Sequence, residues 1–318
     1  MKKMINTEHI EGRIYQHNLV KKTVQNQTSA NFGKEFISGN IEIAVDEEGL
    51  VIIPVHFTYV VEQTNSGNKN ATYTNLDRII NEGKTWITNG KEDAFKVKVD
   101  TALAVNDFYT QDNRLVSTKV NEGGFVTIIN GDLCPENERN TFTTDMLITN
   151  VVRVEADPEK NIEKDYVVVS GDIFNFRNAL LPVDFIVKNP DGMAHFEDLN
   201  ASKNEPVFTK VWGRINCGSI INEVKEETAF GEEAVRTYEK KIKEWIITGA
   251  SKVPYDFGDE TVLTIAEVQK ANQDRELMLA DVKKRNEEYK AQKATGTTVA
   301  QATTVATTIS ASKGTFNF

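Results

Sequence analysis

The sequence Ser-Gly-Asn-Ile at Ser38–Ile41, followed by Pro-Val-His-Phe at Pro54–Phe57, occurs twice in this chain in slightly altered form. The second copy reads Ser-Gly-Asp-Ile at Ser170–Ile173 and then Pro-Val-Asp-Phe at Pro182–Phe185. Further similar blocks follow in the same order in both halves, which chance matches rarely do, although similar strands also select similar residues. The pattern predicts two related domains that arose by duplication.

Apolar and polar residues alternate around the first copy of this repeat. In the segment Phe36–Val45, the side chains of Ile37, Ile41 and Ile43 share one face, which is typical of a half-buried β-strand. The next segment, Leu50–Val61, is almost entirely apolar and β-branched. Both segments are therefore predicted to be neighbouring strands that cover a core.

The order of predicted elements is the same in both halves. In the first half we expect strands at Arg13–Val24, Phe36–Val45, Leu50–Val61 and Ala94–Val105, a short helix at Thr74–Asn81 with Asn75 as its N-cap, and a closing strand or hairpin of Arg114–Val120 and Phe125–Asn130 around Glu122–Gly124. In the second half we expect Asp145–Glu155, Tyr166–Phe176, Ala179–Lys188, a helix at Ala194–Asn200, Val207–Asn216 and Val235–Ile247. A helix between strands three and four is characteristic of the OB-fold. The predicted fold is therefore mainly β, with two tandem OB-like five-stranded barrels, a C-terminal α-helix and a disordered tail.

The segment after the second copy is predicted to be helical and then disordered. Thr264 and Glu267 have the spacing of a capping box, so a helix is expected to begin there and to end near Lys293. Its apolar residues lie mostly in the first two-thirds, so we expect its start to pack on a barrel and its end to project into solvent. The expected divisions are 1–130 and 131–250 for the OB-like domains, 251–293 for a linker and the helix, and 294–318 for the tail.

The charge of the chain is unevenly distributed. The net charge of −10 counts against a general polyanion binder. Residues 1–130 carry 14 basic and 16 acidic side chains, whereas residues 131–250 carry 14 and 22. If either barrel binds nucleic acid, the first is the better candidate.

The sequence predicts a soluble, cytoplasmic protein. It has no apolar run long enough to span a membrane and no signal peptide at its start. The two cysteines, Cys134 and Cys217, are expected to stay reduced.

We find no motif that indicates catalysis or a cofactor. No histidine is spaced from another histidine or cysteine as metal ligands usually are, and the two cysteines are too far apart in sequence to indicate a zinc site. A phosphate-binding loop, a dinucleotide fingerprint and a nucleophile elbow are all missing. We therefore predict no enzyme activity, no cofactor and no metal, although the scattered acidic residues leave a carboxylate metal site open.

The first half has the residue types that a single strand of nucleic acid requires. OB barrels bind single strands on the face of strands two and three, with aromatic rings that stack on bases and basic side chains along the phosphates. The polar loop Gln25–Ser29 is flanked by lysines, and aromatic residues lie beside it. The residues predicted to bind nucleic acid are Lys21, Lys22, Lys34, Phe36, Tyr59, Tyr73, Trp86, Lys96, Lys98 and Arg114. Phe316 and Phe318, at the end of the tail, are predicted to bind a partner.

The tandem barrels, the segment Val207–Asn216 and the helix after Tyr255–Gly258 together resemble phage-encoded single-stranded DNA-binding proteins with OB folds. The resemblance covers about residues 10–290 as an architecture. It implies a protein that coats exposed strands during replication and recombination and recruits replication or recombination proteins through a flexible tail. The tail here departs from the common form, because it ends in aromatic residues and lacks an acidic run.

The main alternative is a structural or scaffolding protein, such as a virion component or an interaction protein. Duplicated β domains, an acidic composition and a helical extension fit that class equally well. Self-assembly without nucleic acid would favour it.

Overall fold

The computed structural model describes residues 3–29, 31–64, 66–157, 162–226 and 234–294, and it shows a mainly β protein. The elements of the first half are β1 (Asn6–His17), β2 (Val20–Thr23), β3 (Glu35–Ala44), β4 (Ile52–Val61), α1 (Ala71–Glu82), α2 (Trp86–Asn89), β5 (Lys96–Tyr109) and β6 (Leu115–Ile129). Those of the second half are β7 (Asn140–Val154), β8 (Tyr166–Phe174), β9 (Leu180–Val187), α3 (Pro190–Asp198), β10 (Val207–Glu226) and β11 (Ala234–Ala250), and α4 (Ile265–Ala294) follows. Among these helices none is long and apolar enough to cross a membrane.

Each half closes into a ring of strands. In the first half β1 pairs with both β3 and β5, β3 pairs with β4, and β5 pairs with β6. A short parallel pairing of β4 with β6 completes the barrel. In the second half β7, β8, β9, β11 and β10 form the corresponding ring, with β9 and β11 as the parallel pair. Because both rings have the strand order of the OB-fold, with a helix after strand three, the predicted fold class is confirmed.

The two barrels share one continuous sheet and one core. Strand β1 pairs antiparallel with β7, so the barrels are joined directly through their first strands. The largest buried cluster contains residues from both halves, including Phe57 of the first barrel and Phe185 and Trp245 of the second. The relative position of the barrels is therefore fixed by backbone hydrogen bonds as well as by apolar burial.

The glycine of each repeat allows two strands to approach closely. A Cβ atom at Gly39 would lie 2.6 Å from the carbonyl oxygen of Asn18, and one at Gly171 would lie 2.1 Å from that of Leu147. Gly39 also has a φ of 134°, which L side chains rarely adopt. Strand β3 in the first barrel and strand β8 in the second therefore need glycine where they approach the preceding part of the chain most closely.

Helix α4 begins with the predicted capping box. The hydroxyl of Thr264 accepts a hydrogen bond from the backbone N–H of Glu267 at 3.3 Å, and the Glu267 carboxylate accepts one from the Thr264 N–H at 2.8 Å. The first turns bury Val268 and Ala271 in a second apolar cluster with residues of the second barrel, such as Phe208. The predicted docking of the helix start on a barrel is thus confirmed.

The end of α4 does not simply project into solvent, and this prediction was wrong. The Lys290 ammonium donates hydrogen bonds to the carbonyl oxygens of Thr110 (3.2 Å) and Gln111 (3.0 Å) in the turn between β5 and β6. About a third of the way along α4, the Arg275 guanidinium lies 3.0 Å from the buried Asp107 carboxylate of β5. Apolar periodicity missed these contacts because they are polar.

Several element boundaries also differ from the prediction. The first strand begins at Asn6, and a break after His17 separates β1 from β2. Of the two alternatives expected around Glu122–Gly124, a closing strand or a hairpin, the structure has the strand, β6, whose glycines lie against Phe57 and the Asp100 carbonyl. The predicted tail, with Phe316 and Phe318, lies outside the described residues, except for Ala294 at the end of α4.

Helix α1 is longer than predicted, and its N-cap is Asn70. The side chain of Asn70 accepts a hydrogen bond from the Thr72 N–H at 3.0 Å. The predicted N-cap, Asn75, lies within the helix and donates to the carbonyl oxygen of Val126 at 2.8 Å. Asparagine is a favourable N-cap residue, so residue type alone does not distinguish Asn70 from Asn75. The two differ in the folded protein, where the side chain of Asn75 is bonded to β6 and that of Asn70 caps the helix.

Candidate nucleic-acid interface

An aromatic pair lies on the outer face of the first barrel, where β3 and β4 run side by side. The rings of Phe36 on β3 and Tyr59 on β4 have centroids 4.7 Å apart and planes inclined at 42°. Tyr59 keeps 39% of its surface exposed. The pair is therefore in contact with solvent and is not part of the core.

A β-bulge in β4 turns Tyr59 outward. Gly39 pairs with Phe57 and Ile37 pairs with Val60, so a single β3 residue opposes both Thr58 and Tyr59. Phe57 is fully buried and Val60 packs against the core, so the usual alternation is reversed between them. Without the extra residue, the side chain of Tyr59 would point into the barrel, as that of Phe57 does.

The aromatic pair lines an open cavity of about 580 Å³. The opposite wall consists of β2 and the segment that follows it, with Lys22, Thr23, Val24, Gln25 and Asn26. The cavity thus combines a stacking surface, a cation and polar groups that can donate or accept hydrogen bonds. It has the residue types that a base and its phosphate would contact.

Polar residues continue this face along β3 and β4. The Nδ1 atom of His56 lies 2.7 Å from Oδ1 of Asn40 on the neighbouring strand. Burial, and then the nearby Lys22 ammonium, lower the pKa of His56 below its usual range, so its imidazole is neutral at pH 7. Neither His56 nor Asn40 is among the residues predicted from the sequence to bind nucleic acid.

The loop between β2 and β3 is ordered by its own hydrogen bonds. Asn26 Oδ1 accepts from the Thr28 N–H at 3.0 Å, and Lys34 Nζ donates to Asn31 Oδ1 at 3.1 Å. Phe32 is 52% exposed in this loop. The Lys34 carbonyl accepts a hydrogen bond from the N–H of Val24, a residue of the cavity wall, at 3.0 Å, so Lys34 lies at the rim of the candidate interface.

Two predicted residues are directed away from the cavity. Because side chains alternate along β2, Lys21 lies on the other face from Lys22 and forms an ion pair with Asp77 of α1. This hydrogen-bonded contact raises the pKa of Lys21. Tyr73 is buried in the core, with only 7% of its surface exposed, so its ring is not available to stack on a base.

Trp86 and the lysines of β5 lie elsewhere on the first barrel. Trp86 packs on the turn between β3 and β4, where a Cβ atom at Gly49 would lie 3.3 Å from its ring. Lys96 and Lys98 are on β5, which the ring places between β1 and β6, away from the β3–β4 face. The structure does not bring these three residues to the cavity.

The last predicted residue, Arg114, is exposed in the turn between β5 and β6. In an OB-fold this turn flanks the binding face. The turn is held by the contacts that Lys290 makes with it. Arg114 therefore remains a candidate at the margin of the interface.

The second barrel has an acidic surface at the corresponding place. The repeat aligns Asp172 with Asn40 and Asp184 with His56. Burial raises the pKa of Asp172 to about 6, while the positive charge of Arg275 acts to lower it. A face with carboxylates at both positions is poorly suited to phosphate, so the face of the first barrel remains the better candidate.

The two closed rings and the outer face of β3 and β4 define a tandem OB-like protein. Residues 6–305 match the family YorF, and the chain belongs to this family. No curated protein matches the sequence. The chain is similar to the crystal structure of a deletion mutant of the single-stranded DNA-binding protein from Thermus aquaticus, with 11% identity, a TM-score of 0.44, and coverage of 81% of this chain and 98% of that one. A likeness this distant does not determine function, which must be inferred from the surface of the chain itself.

Proposed function

We propose that this protein binds single-stranded DNA through the β3–β4 face of its first barrel, stoichiometrically and without sequence preference. The observation that carries this proposal is the exposed Phe36–Tyr59 pair next to Lys22. Aromatic rings stack on any base, because every base has a π-face. The interface therefore selects unpaired bases but not a particular sequence.

The cavity can hold a base against the rings while its phosphate faces the lysines. A base–aromatic stack contributes about 1–3 kcal/mol. The wall of the cavity, from Thr23 to Asn26, can hydrogen-bond to a base edge or a sugar. Lys22 lies in the wall and Lys34 at the rim, so both can neutralise phosphates on the path of the strand.

The acidity of the second barrel fits a different role. Its charge repels a strand that leaves the first barrel, so the bound path is confined to the β3–β4 face. We propose that the second barrel positions the first through the β1–β7 pairing and contacts neighbouring proteins.

The biological role we propose is the coating and protection of exposed strands during DNA replication or recombination. It would take place in the cytoplasm, which is the host's if the protein is phage-encoded. Replication or recombination proteins would be recruited through the C-terminal tail, with Phe316 and Phe318 as the contacts. No catalytic step is part of this role.

The test is the anisotropy of a labelled oligo-dT titrated with the protein at two salt concentrations. Saturable binding that weakens with salt, and much weaker binding to a duplex of the same length, are expected. Anisotropy is the right signal because Trp245 is fully buried and Trp86 lies away from the cavity. No binding at low salt would refute the proposal and leave the scaffolding class.

A triple Lys21, Lys22 and Lys34 to alanine variant tests the position of the site. Its binding should be clearly weaker than that of the wild type, because two of these lysines border the cavity. A matched variant with Lys96 and Lys98 changed to alanine removes positive charge from the other side of the barrel. If both variants bind alike, strands are not bound at the β3–β4 face.

A further inference from the structure

Three potential metal ligands converge where the linker between the barrels crosses β1. His9 and Glu11 are two residues apart on β1, so their side chains share one face of the strand. Cys134 comes from the segment that connects β6 with β7. One ligand atom from each residue lies within 4.8 Å of the other two, and His9 Nε2 is 3.5 Å from Glu11 Oε2.

Backbone and side-chain hydrogen bonds hold the linker against β1 at this point. The Glu11 carboxylate accepts a hydrogen bond from the Cys134 N–H, and the Glu11 N–H donates to the Arg139 carbonyl at 2.7 Å. Arg139 Nε in turn donates to the Cys134 carbonyl at 2.7 Å. Glu11 and Arg139 are both buried, so the three ligands are preorganised by the fold.

A carboxylate also lies beside the other nitrogen of the His9 ring. Asp100 is the direct cross-strand partner of His9 on β5, and its Oδ1 lies 3.5 Å from His9 Nδ1. Metal-binding histidines usually donate their second ring N–H to such a carboxylate, which fixes the tautomer and turns the free nitrogen toward the metal. Here the free nitrogen is Nε2, the atom that faces Glu11.

The donor set is one imidazole nitrogen, one thiolate and one carboxylate oxygen. Zn²⁺ accepts all three donors in tetrahedral sites, whereas Mg²⁺ and Ca²⁺ prefer oxygen ligands only. Lys98 on β5 is the direct cross-strand partner of Glu11, and Arg139 adds a second positive charge nearby. The thiolate and the carboxylate offset these two charges, which would otherwise repel a divalent cation.

We propose that His9, Glu11 and Cys134 bind a zinc ion, with a fourth position left for water, and that the ion fastens the inter-barrel linker to β1. Strand β1 is the strand that joins the two barrels. A zinc ion here would therefore stabilise their relative position. Sequence spacing did not reveal the site, because Glu11 and Cys134 are 123 positions apart.

The site can be tested by titrating the metal-free, full-length protein with Co²⁺ and then with Zn²⁺. We expect one Co²⁺ per chain, a thiolate-to-cobalt charge-transfer absorption in the near ultraviolet, and displacement of Co²⁺ by Zn²⁺. Cys134→Ser should abolish this absorption. Cys217→Ser, which changes the other free cysteine, should keep it.

A second variant covers the case in which Cys134→Ser does not fold. Asp100 is 55% exposed, so Asp100→Ala should fold normally, and loss of its contact with His9 should weaken cobalt affinity about 10- to 100-fold. Circular dichroism of each variant checks the fold. Substoichiometric cobalt binding, unchanged affinity in Asp100→Ala, or a charge-transfer band that persists in Cys134→Ser would overturn the proposal.

Discussion

Replacement of Tyr59 by alanine is the sharpest test of the candidate interface. The change removes one ring of the exposed pair and leaves the main chain of β4 and its bulge in place. Tyr59 is 39% exposed, and its contact with Phe36 is worth about 0.5–1.5 kcal/mol. The variant should therefore fold, with only a small loss in the free energy of unfolding.

The expected loss of affinity follows from the stacking energy. One base–aromatic stack contributes about 1–3 kcal/mol, and about 1.4 kcal/mol corresponds to a tenfold change in Kd. Tyr59→Ala should thus raise the Kd for oligo-dT about 5- to 150-fold. Phe36→Ala should do the same if its ring stacks on a second base. If both rings hold a single base, the double variant should lose little more than either single one.

The assay is the anisotropy of labelled oligo-dT at low salt, with Tyr289→Ala as the matched control. Tyr289 is 64% exposed on α4 and does not line the cavity, so its replacement removes a comparable ring elsewhere. A Kd within twofold of the wild type for the Tyr59/Phe36 double variant would refute the stacking interface. Equal losses in the control and in Tyr59→Ala would show that the effect is not specific to the site.

Three further predictions concern charge. Lys22→Ala should reduce the slope of log Kd against log salt by about 0.7 per lost phosphate contact. Lys21→Ala should leave the slope unchanged, because the Lys21 ammonium is already paired with the carboxylate of Asp77. Equal slopes in the two variants would contradict the assignment of Lys22 to the interface. Burial raises the pKa of Asp172 from 3.8 to about 6, so the folded state keeps a proton that the unfolded state has lost, and the free energy of unfolding should fall by about 3 kcal/mol as pH rises through this window. Asp172→Asn should flatten this dependence in urea denaturation, and an unchanged pH profile would show that another group is responsible. Arg275→Ala leaves the carboxylate of Asp107 buried without its cation and should lower the free energy of unfolding by about 3–5 kcal/mol. Adding Asp107→Asn should restore most of that loss, and failure to do so would locate the effect in packing.

Much of the fold was determined by local sequence patterns. The alternation of apolar residues in β3 and β4 and the duplicated blocks predicted two OB-like barrels, because side-chain direction along a strand has a period of two residues. The capping box at Thr264 and Glu267 placed the start of α4 for a similarly local reason. The lysines and aromatic residues around β2 and β3 directed the sequence analysis to the surface on which the structure has the cavity lined by Phe36 and Tyr59.

The composition of the interface was decided only by the tertiary structure. Tyr59 was predicted to bind nucleic acid on its residue type alone, and strict alternation with Phe57 would have placed it inside the barrel. A bulge defined by the pairing with β3 turns it outward. Tyr73 was also predicted to bind nucleic acid, yet the position of α1 over the barrel buries its side chain. Ring closure likewise placed Lys96 and Lys98 away from the cavity. It also brought His9 and Glu11 to a cysteine far away in the chain. Residues distant in sequence meet only through strand pairing, and no local period encodes which strands pair or in which register.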